Sequence, residues 1–345
     1  MKFHNREALQ LESKALRVTV LTEGGHIAEI LHKRMGINPL WIPPWSSIEP
    51  SQYSAQLHPQ YGLNEGSKLL SGIMGHNLCL DIFGPPSDEE LKHGISVHGE
   101  ASVAGYAGDV RDGELCLSAD LPYSKLRITR VIRIDEHELR VRIRESVLNL
   151  SPLDRPVAWT QHVTLGPPFL EPGSTQLAIR PEMSRVFESE GFDSGGLVRG
   201  ADFEWPYAPR CGGDVADLRI FASGGRISSF STHLMNRRSV RASFSAYSPA
   251  AKLSFGYEWD PKDFPWLGIW EENRSRPDRP WNGETVACGL EFGVSPFPEG
   301  RIKMLQRETL FGVPAFRQLK GFEQRTIEYS AFVREAGGLP RQGDS

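Results

Sequence analysis

Cysteine is scarce in this chain: Cys79, Cys116, Cys211 and Cys288 are scattered along it without a CxxC pair or a cluster with histidine. That excludes a dense disulfide framework and a zinc site of ordinary spacing, and leaves free, mostly buried thiols as the expectation. Long apolar runs are missing as well. No hydrophobic stretch follows the opening Met1-Lys2-Phe3-His4-Asn5-Arg6-Glu7, so neither a signal peptide nor a membrane span is expected, and the cytoplasm is the default compartment. Positive charge is not in excess, since Lys+Arg 39 against Asp+Glu 43 gives a formal net charge of -4. No basic stripe with interleaved aromatics is present, which removes nucleic acid from the expected partners. The ligand class that remains is a neutral or weakly charged small molecule.

Glycine and proline, in contrast, are plentiful. With 34 and 25 of them in 345 residues, long helices have little room, while period-2 apolar patterns recur from end to end. The clearest pair is residues 125–134 and 138–148, joined by Asp135-Glu136-His137. In its second arm Leu139, Val141, Ile143 and Val147 face one way and Arg140, Arg142 and Arg144 the other, which predicts a hairpin with one buried and one wet face. The arginine row reads as solvation and edge protection. Further strands are expected at 15–22, 27–32, 114–119, 218–222, 251–259, 284–294 and 323–334, and a short helix after Pro85-Pro86-Ser87-Asp88-Glu89-Glu90, with 188–213 as a surface loop. No internal repeat or linker stands out, so residues 1–345 are expected to form a single all-β domain of packed antiparallel sheets.

Three short stretches carry groups able to exchange a proton. His162 lies in Trp159-Thr160-Gln161-His162-Val163-Thr164, a strand that runs into the rigid Gly166-Pro167-Pro168. A histidine there can be held in one orientation, with an ordinary pKa suited to proton transfer, although a hydrogen-bonded core histidine has the same local sequence. His98 precedes Gly99, which lets a ligand come close, and His93 competes with it in the same loop. Glu291 sits in the apolar strand Cys288-Gly289-Leu290-Glu291-Phe292, where a carboxylate is costly unless paired or used. Pointing inward it would be a base of raised pKa; pointing outward it would be a surface glutamate, with Glu284, Glu271 and Glu272 as rivals.

The order of these segments, together with Gly24-Gly25-His26-Ile27-Ala28-Glu29-Ile30 and the closing strand 323–333, resembles the galactose mutarotase-like superfamily, and within it the aldose 1-epimerases. The resemblance implies a large antiparallel β-sandwich, the galactose mutarotase-like supersandwich, and interconversion of sugar anomers without a cofactor or metal. It implies His162 as general acid, Glu291 as general base and His98 as a sugar-binding residue. The family's substrate-binding arginine segment is matched by Gly75-His76-Asn77-Leu78-Cys79-Leu80-Asp81, so His76 would stand in for the arginine. Gln161 and Trp270 complete the expected substrate-binding set, Trp270 as an apolar platform for a sugar face. The expected partner is a free hexose or related aldose. Two other readings remain open: a non-catalytic carbohydrate-binding or regulatory protein on the same fold, and a metalloenzyme holding its ion with His93, His98 and His162.

Overall fold

A computed structural model describes residues 1–190 and 195–339. Two large antiparallel sheets dominate it, and the alternation seen in the sequence explains how they meet. The eight-stranded sheet runs Gln176–Ile179, Ala242–Ser248, Leu253–Trp259, Gln324–Glu335, Arg140–Asn149, Leu126–Asp135, Glu114–Leu121, Ala107–Arg111. Its centre is the expected hairpin, in which Val141, Ile143 and Val147 are buried and Arg142 and Arg144 are exposed. The larger sheet has twelve strands among the described residues. Its middle is His76–Asp81, Arg155–Leu165, Val286–Gly293, Trp266–Asn273 and Ile227–Met235, each hydrogen-bonded to the next.

One face of that larger sheet packs on the smaller one. Along Arg155–Leu165, Val157, Trp159, Val163 and Leu165 point between the sheets, where they join Leu78, Leu80, Leu290 and Phe292 of their own sheet and Ile128, Ile143, Phe255 and Tyr257 of the other. The opposite face is not left to water. Ala158, Cys79, Trp266, Trp270 and Ala287 form a second apolar cluster with Trp41, Leu69, Leu70, Phe230 and Trp281, which come from loops, the short helix Ser67–Leu70 and a neighbouring strand. Every residue of the strand Trp266–Asn273 is therefore buried, and simple inside-outside alternation is lost there.

The structure also departs from the sequence reading. Residues 218–222 form no strand: Leu218 and Arg219 lie in a turn in which the Ile220 N–H donates to the Asp217 carbonyl, so the segment meets the free edge of Gln176–Ile179 only through an isolated bridge between Ile220 and Gln176. Within 188–213, residues 191–194 lie outside the described residues, and Asp202–Phe203 and Tyr207–Pro209 are short strands rather than loop. The helix after Pro86 is present as Asp88–Lys92, closed by a reciprocal capping box between Ser87 and Glu90. All four cysteines are free, and Cys211 is exposed rather than buried.

The inner positions of the hairpin hide a feature that alternation did not disclose. Arg130 and Glu145 both face inward and are fully buried, with Arg130 Nε 2.7 Å from Glu145 Oε2 and Nη1 2.8 Å from the Gly25 carbonyl. Glu145 Oε1 in turn accepts hydrogen bonds from Trp159 Nε1 at 2.6 Å and Gln161 Nε2 at 2.7 Å. A buried charge is tolerated only when paired and hydrogen-bonded in this way.

Candidate active site

Register decides the site. His162 lies directly opposite Glu291 across one strand pair and opposite Asn77 across the other, while Glu291 lies opposite Gly268. Residues opposite one another in an antiparallel pair project on the same side. Both side chains accordingly rise from the face covered by loops, and His162 Nε2 comes within 3.1 Å of Glu291 Oε1. The other imidazole nitrogen, Nδ1, is 3.1 Å from Thr164 Oγ1 two residues along the same strand face. If the threonine hydroxyl donates to Nδ1, Nε2 carries the proton that points at the carboxylate.

Gly289 explains why the carboxylate fits. A Cβ there would sit 2.5 Å from Glu291 Oε1 and 3.1 Å from Cε3 of Trp270, so the missing side chain is the space the carboxylate occupies. The Gly-Leu-Glu spacing thus has a mechanical reason: residues two apart share a face, and the glutamate folds back over its neighbour.

His98 arrives from the loop above. It adopts a positive φ of 66° and is followed by Gly99, where a Cβ would lie 2.0 Å from the Leu80 carbonyl oxygen, so the turn presses the loop onto the strand His76–Asp81. The backbone N–H of Gly84 donates to His98 Nδ1 at 3.2 Å, which leaves Nε2 as a donor. The His98 and His162 rings meet edge to face with centroids 5.2 Å apart, and Trp270 lies 6.0 Å from His162 on the other side.

These four residues line one cavity of about 330 Å³, within the range of small-molecule sites. Its remaining walls include Trp41, Leu70, Val97 and Trp281, with Arg276 as the one permanent cation among the described lining residues and Glu65 and Asp278 as further acids. The Arg276 guanidinium is stacked 4.7 Å from the Trp281 ring and 5.6 Å from Trp270, with Nε 3.4 Å from Glu272.

Burial sets the protonation of the pair. Desolvation pushes Glu291 up to about 8 and His162 down to about 4. At neutral pH the two groups therefore hold one proton between them, either as carboxyl and neutral imidazole or as the isomeric carboxylate and imidazolium. His98 is held well below the usual histidine range, first by burial and then by the neighbouring His162 and Arg276 charges. It is a neutral donor.

Two expected substrate-binding residues are elsewhere. Gln161 is one residue from His162, so the pleat turns it to the opposite face, where its Oε1 lies 2.9 Å from His76 Nε2 and 2.9 Å from the Tyr329 hydroxyl. His76 pairs with Val163 and faces the same way, its Nδ1 2.9 Å from the Tyr257 hydroxyl. Both belong to the buried network around Arg130 and Glu145, not to the cavity. His93 is exposed at the end of the helix Asp88–Lys92, and among the described residues no group of three or more His, Cys, Asp or Glu side chains is arranged to hold a metal. Glu271 faces the inter-sheet side, opposite to Trp270, and accepts from Ser229 Oγ at 3.2 Å. Arg276, Trp41 and Trp281 were not singled out from the sequence; for Arg276 and Trp281 the available signal was the arginine-rich loop 274–283, which carries Trp281 and directly follows the Trp270 strand.

At the level of sequence, neither a protein-family model nor a curated protein matches the chain. Solved structures do. A Klebsiella pneumoniae protein provisionally assigned as an aldose 1-epimerase superposes with a TM-score of 0.70 at 13% identity, covering 96% of this chain and 80% of that one. The chain has the galactose mutarotase-like fold. An Escherichia coli K12 protein with the same provisional assignment gives 0.64 at 14%, covering 96% and 100%. A galactose mutarotase-like protein from Clostridium acetobutylicum gives 0.61 at 14%, covering 97% of both chains. A mutarotase-like sandwich thus carries the His162–Glu291 pair on the sheet face turned away from its inter-sheet core. No helix among the described residues is long and apolar enough to cross a membrane.

Proposed function

We propose that this protein is an aldose 1-epimerase-like isomerase that interconverts the anomers of a neutral free sugar by general acid-base catalysis. The observation that carries the reading is the buried His162–Glu291 pair, 3.1 Å apart and open to a cavity of sugar-binding size. Glu291 removes the proton of the anomeric hydroxyl while His162 protonates the ring oxygen, which breaks the hemiacetal C–O bond. Rotation about C1–C2 and the reverse transfers close the other anomer. Opening turns carboxylate and imidazolium into carboxyl and neutral imidazole, the state that burial favours, so the one shared proton suffices for the whole cycle.

His98 Nε2 donates to a sugar hydroxyl, Trp270 offers its ring to the C–H face, and Arg276 supplies charged donors. The acids Glu65 and Asp278 beside a single arginine argue for a neutral rather than phosphorylated sugar. The test is polarimetry or saturation-transfer NMR on freshly dissolved α-D-glucose and α-D-galactose. Acceleration over buffer that Glu291→Gln abolishes is the expected result. Sugar binding without acceleration would leave a carbohydrate-binding protein instead.

A further inference from the structure

A second cavity, of about 420 Å³, lies on the other side of the larger sheet and shares no lining residue with the first. The strand Trp266–Asn273 stands between them. Trp270 and Glu271 are consecutive in it, so the pleat sends Trp270 into the first cavity and Glu271 into this one. Residues 216–224 close over the space, and Leu197, Leu218, Ile220 and Ile227 give it aliphatic walls.

Its floor is an acid that the proposed acid-base chemistry does not use. Glu271 is 5% exposed, and each of its oxygens accepts one long hydrogen bond, Oε1 from the Ala222 N–H at 3.3 Å and Oε2 from Ser229 Oγ at 3.2 Å. A carboxylate has room for about four. Burial pushes its pKa up against these two bonds and the Arg210 charge, and no basic side chain among the described residues forms an ion pair with it. A buried acid of this kind is costly unless a ligand or counter-ion completes it.

Arg210 lines the same cavity. Its ion-pair contact among the described residues is Asp214, with Nε 3.9 Å from Oδ2, a loose pairing to a largely exposed side chain. Asp217, the other acid of the lining, is already held by Arg219 at 2.6 Å. The cavity therefore offers a carboxylate without a counter-ion and a weakly committed guanidinium beside an aliphatic wall. A simple amine would complete the first and leave the second, and a simple acid the reverse. We infer that this cavity binds an aliphatic α-amino acid, its ammonium on Glu271, its carboxylate on Arg210 and its side chain against Leu197, Leu218, Ile220 and Ile227. The two charged groups of such a ligand are joined through one carbon, so the residues that hold them must lie close together, in keeping with the Arg210 charge reaching Glu271. Both contacts are charge-assisted hydrogen bonds, and burial of the side chain adds to them. The site takes no part in anomer exchange, and the inference stands whether or not that activity is found.

Isothermal titration calorimetry of the whole chain with L-leucine tests it. Isoamylamine and 4-methylpentanoate are the comparisons, since each keeps the branched body of leucine and lacks one of its two charges. Leucine should bind roughly tenfold tighter, or more, than either. Arg210→Gln should bring leucine down to the level of isoamylamine, and Glu271→Gln down to that of 4-methylpentanoate. Glutamine at 271 can still accept from Ser229 and the Ala222 N–H; should that variant nevertheless fail to fold, Arg210→Gln, at a half-buried side chain, decides alone. Isoamylamine or 4-methylpentanoate binding as tightly as leucine, no binding of leucine at millimolar concentration, or full leucine affinity in Arg210→Gln each overturns the inference.

Discussion

Replacing Gly289 by alanine tests the catalytic reading through the space that Glu291 occupies. Gly289 is in a strand and does not need a positive φ, so alanine can adopt its backbone. Its Cβ would come within 2.5 Å of Glu291 Oε1, and relief to an ordinary contact of 3.4 Å moves the carboxylate by about 0.9 Å. Glu291 is the flexible partner in that collision, so the carboxylate gives way before the strand does. A displacement of that size breaks the 3.1 Å contact with His162 and takes the base off the line to the anomeric hydroxyl. Misplacing a catalytic group by about 1 Å can cost roughly 10²-fold in rate, equivalent to about 2.7 kcal/mol of barrier. The overpacking itself lowers stability by about 1–3 kcal/mol. Stopped polarimetry on α-D-galactose should therefore give a turnover down roughly 100-fold with a near-native half-saturating concentration, in a protein whose circular dichroism and urea midpoint show it folded. Full turnover in Gly289→Ala would refute the reasoning, because Glu291 could not then be the base.

Anomer exchange should follow a bell-shaped pH profile, falling below about 4 as His162 and Glu291 both hold protons and above about 8 as both lose them. Stability has its own sign: between the ordinary carboxylate pKa and about 8 the folded protein binds the Glu291 proton and the unfolded chain does not, so stability falls with rising pH. Glu291→Gln should accordingly gain stability over the wild type across that range in urea titrations, and the gain should be absent below about pH 4. His98→Asn tolerates the positive φ and can still accept from Gly84 but lacks the outer nitrogen, so the half-saturating sugar concentration should rise roughly tenfold with turnover retained. Glu145→Ala leaves the Arg130 charge buried without its partner and should cost about 3–5 kcal/mol in chemical denaturation. His76→Ala, which opens the same inter-sheet network, should lower stability by about 1–3 kcal/mol and leave sugar affinity unchanged.

Local physics made much of this molecule legible in its sequence. A pleated strand alternates its side chains whatever it pairs with, so residues 138–148 disclose a buried face and a wet face on their own, and Ser87 with Glu90 discloses a helix start. The same rule also separates Gln161 from His162, since neighbours in a strand cannot share a face. What sequence alone could not decide is register. That His162 stands opposite Glu291 and His76 opposite Val163 depends on which strands pair and at what offset, and a one-residue slip would reverse every side chain. The partners of Arg130 and the neighbours of residues 218–222 are set in the same way, by long-range pairing. The far wall of the cavity is more remote still from any local signal: Trp41, Arg276 and Trp281 sit in irregular segments and Leu70 ends a single helical turn, Ser67–Leu70, none of them long enough to show a period. Tertiary packing alone brings them over the sheet, because the apolar outer face of Trp266–Asn273 has to be covered, and in being covered it encloses the site.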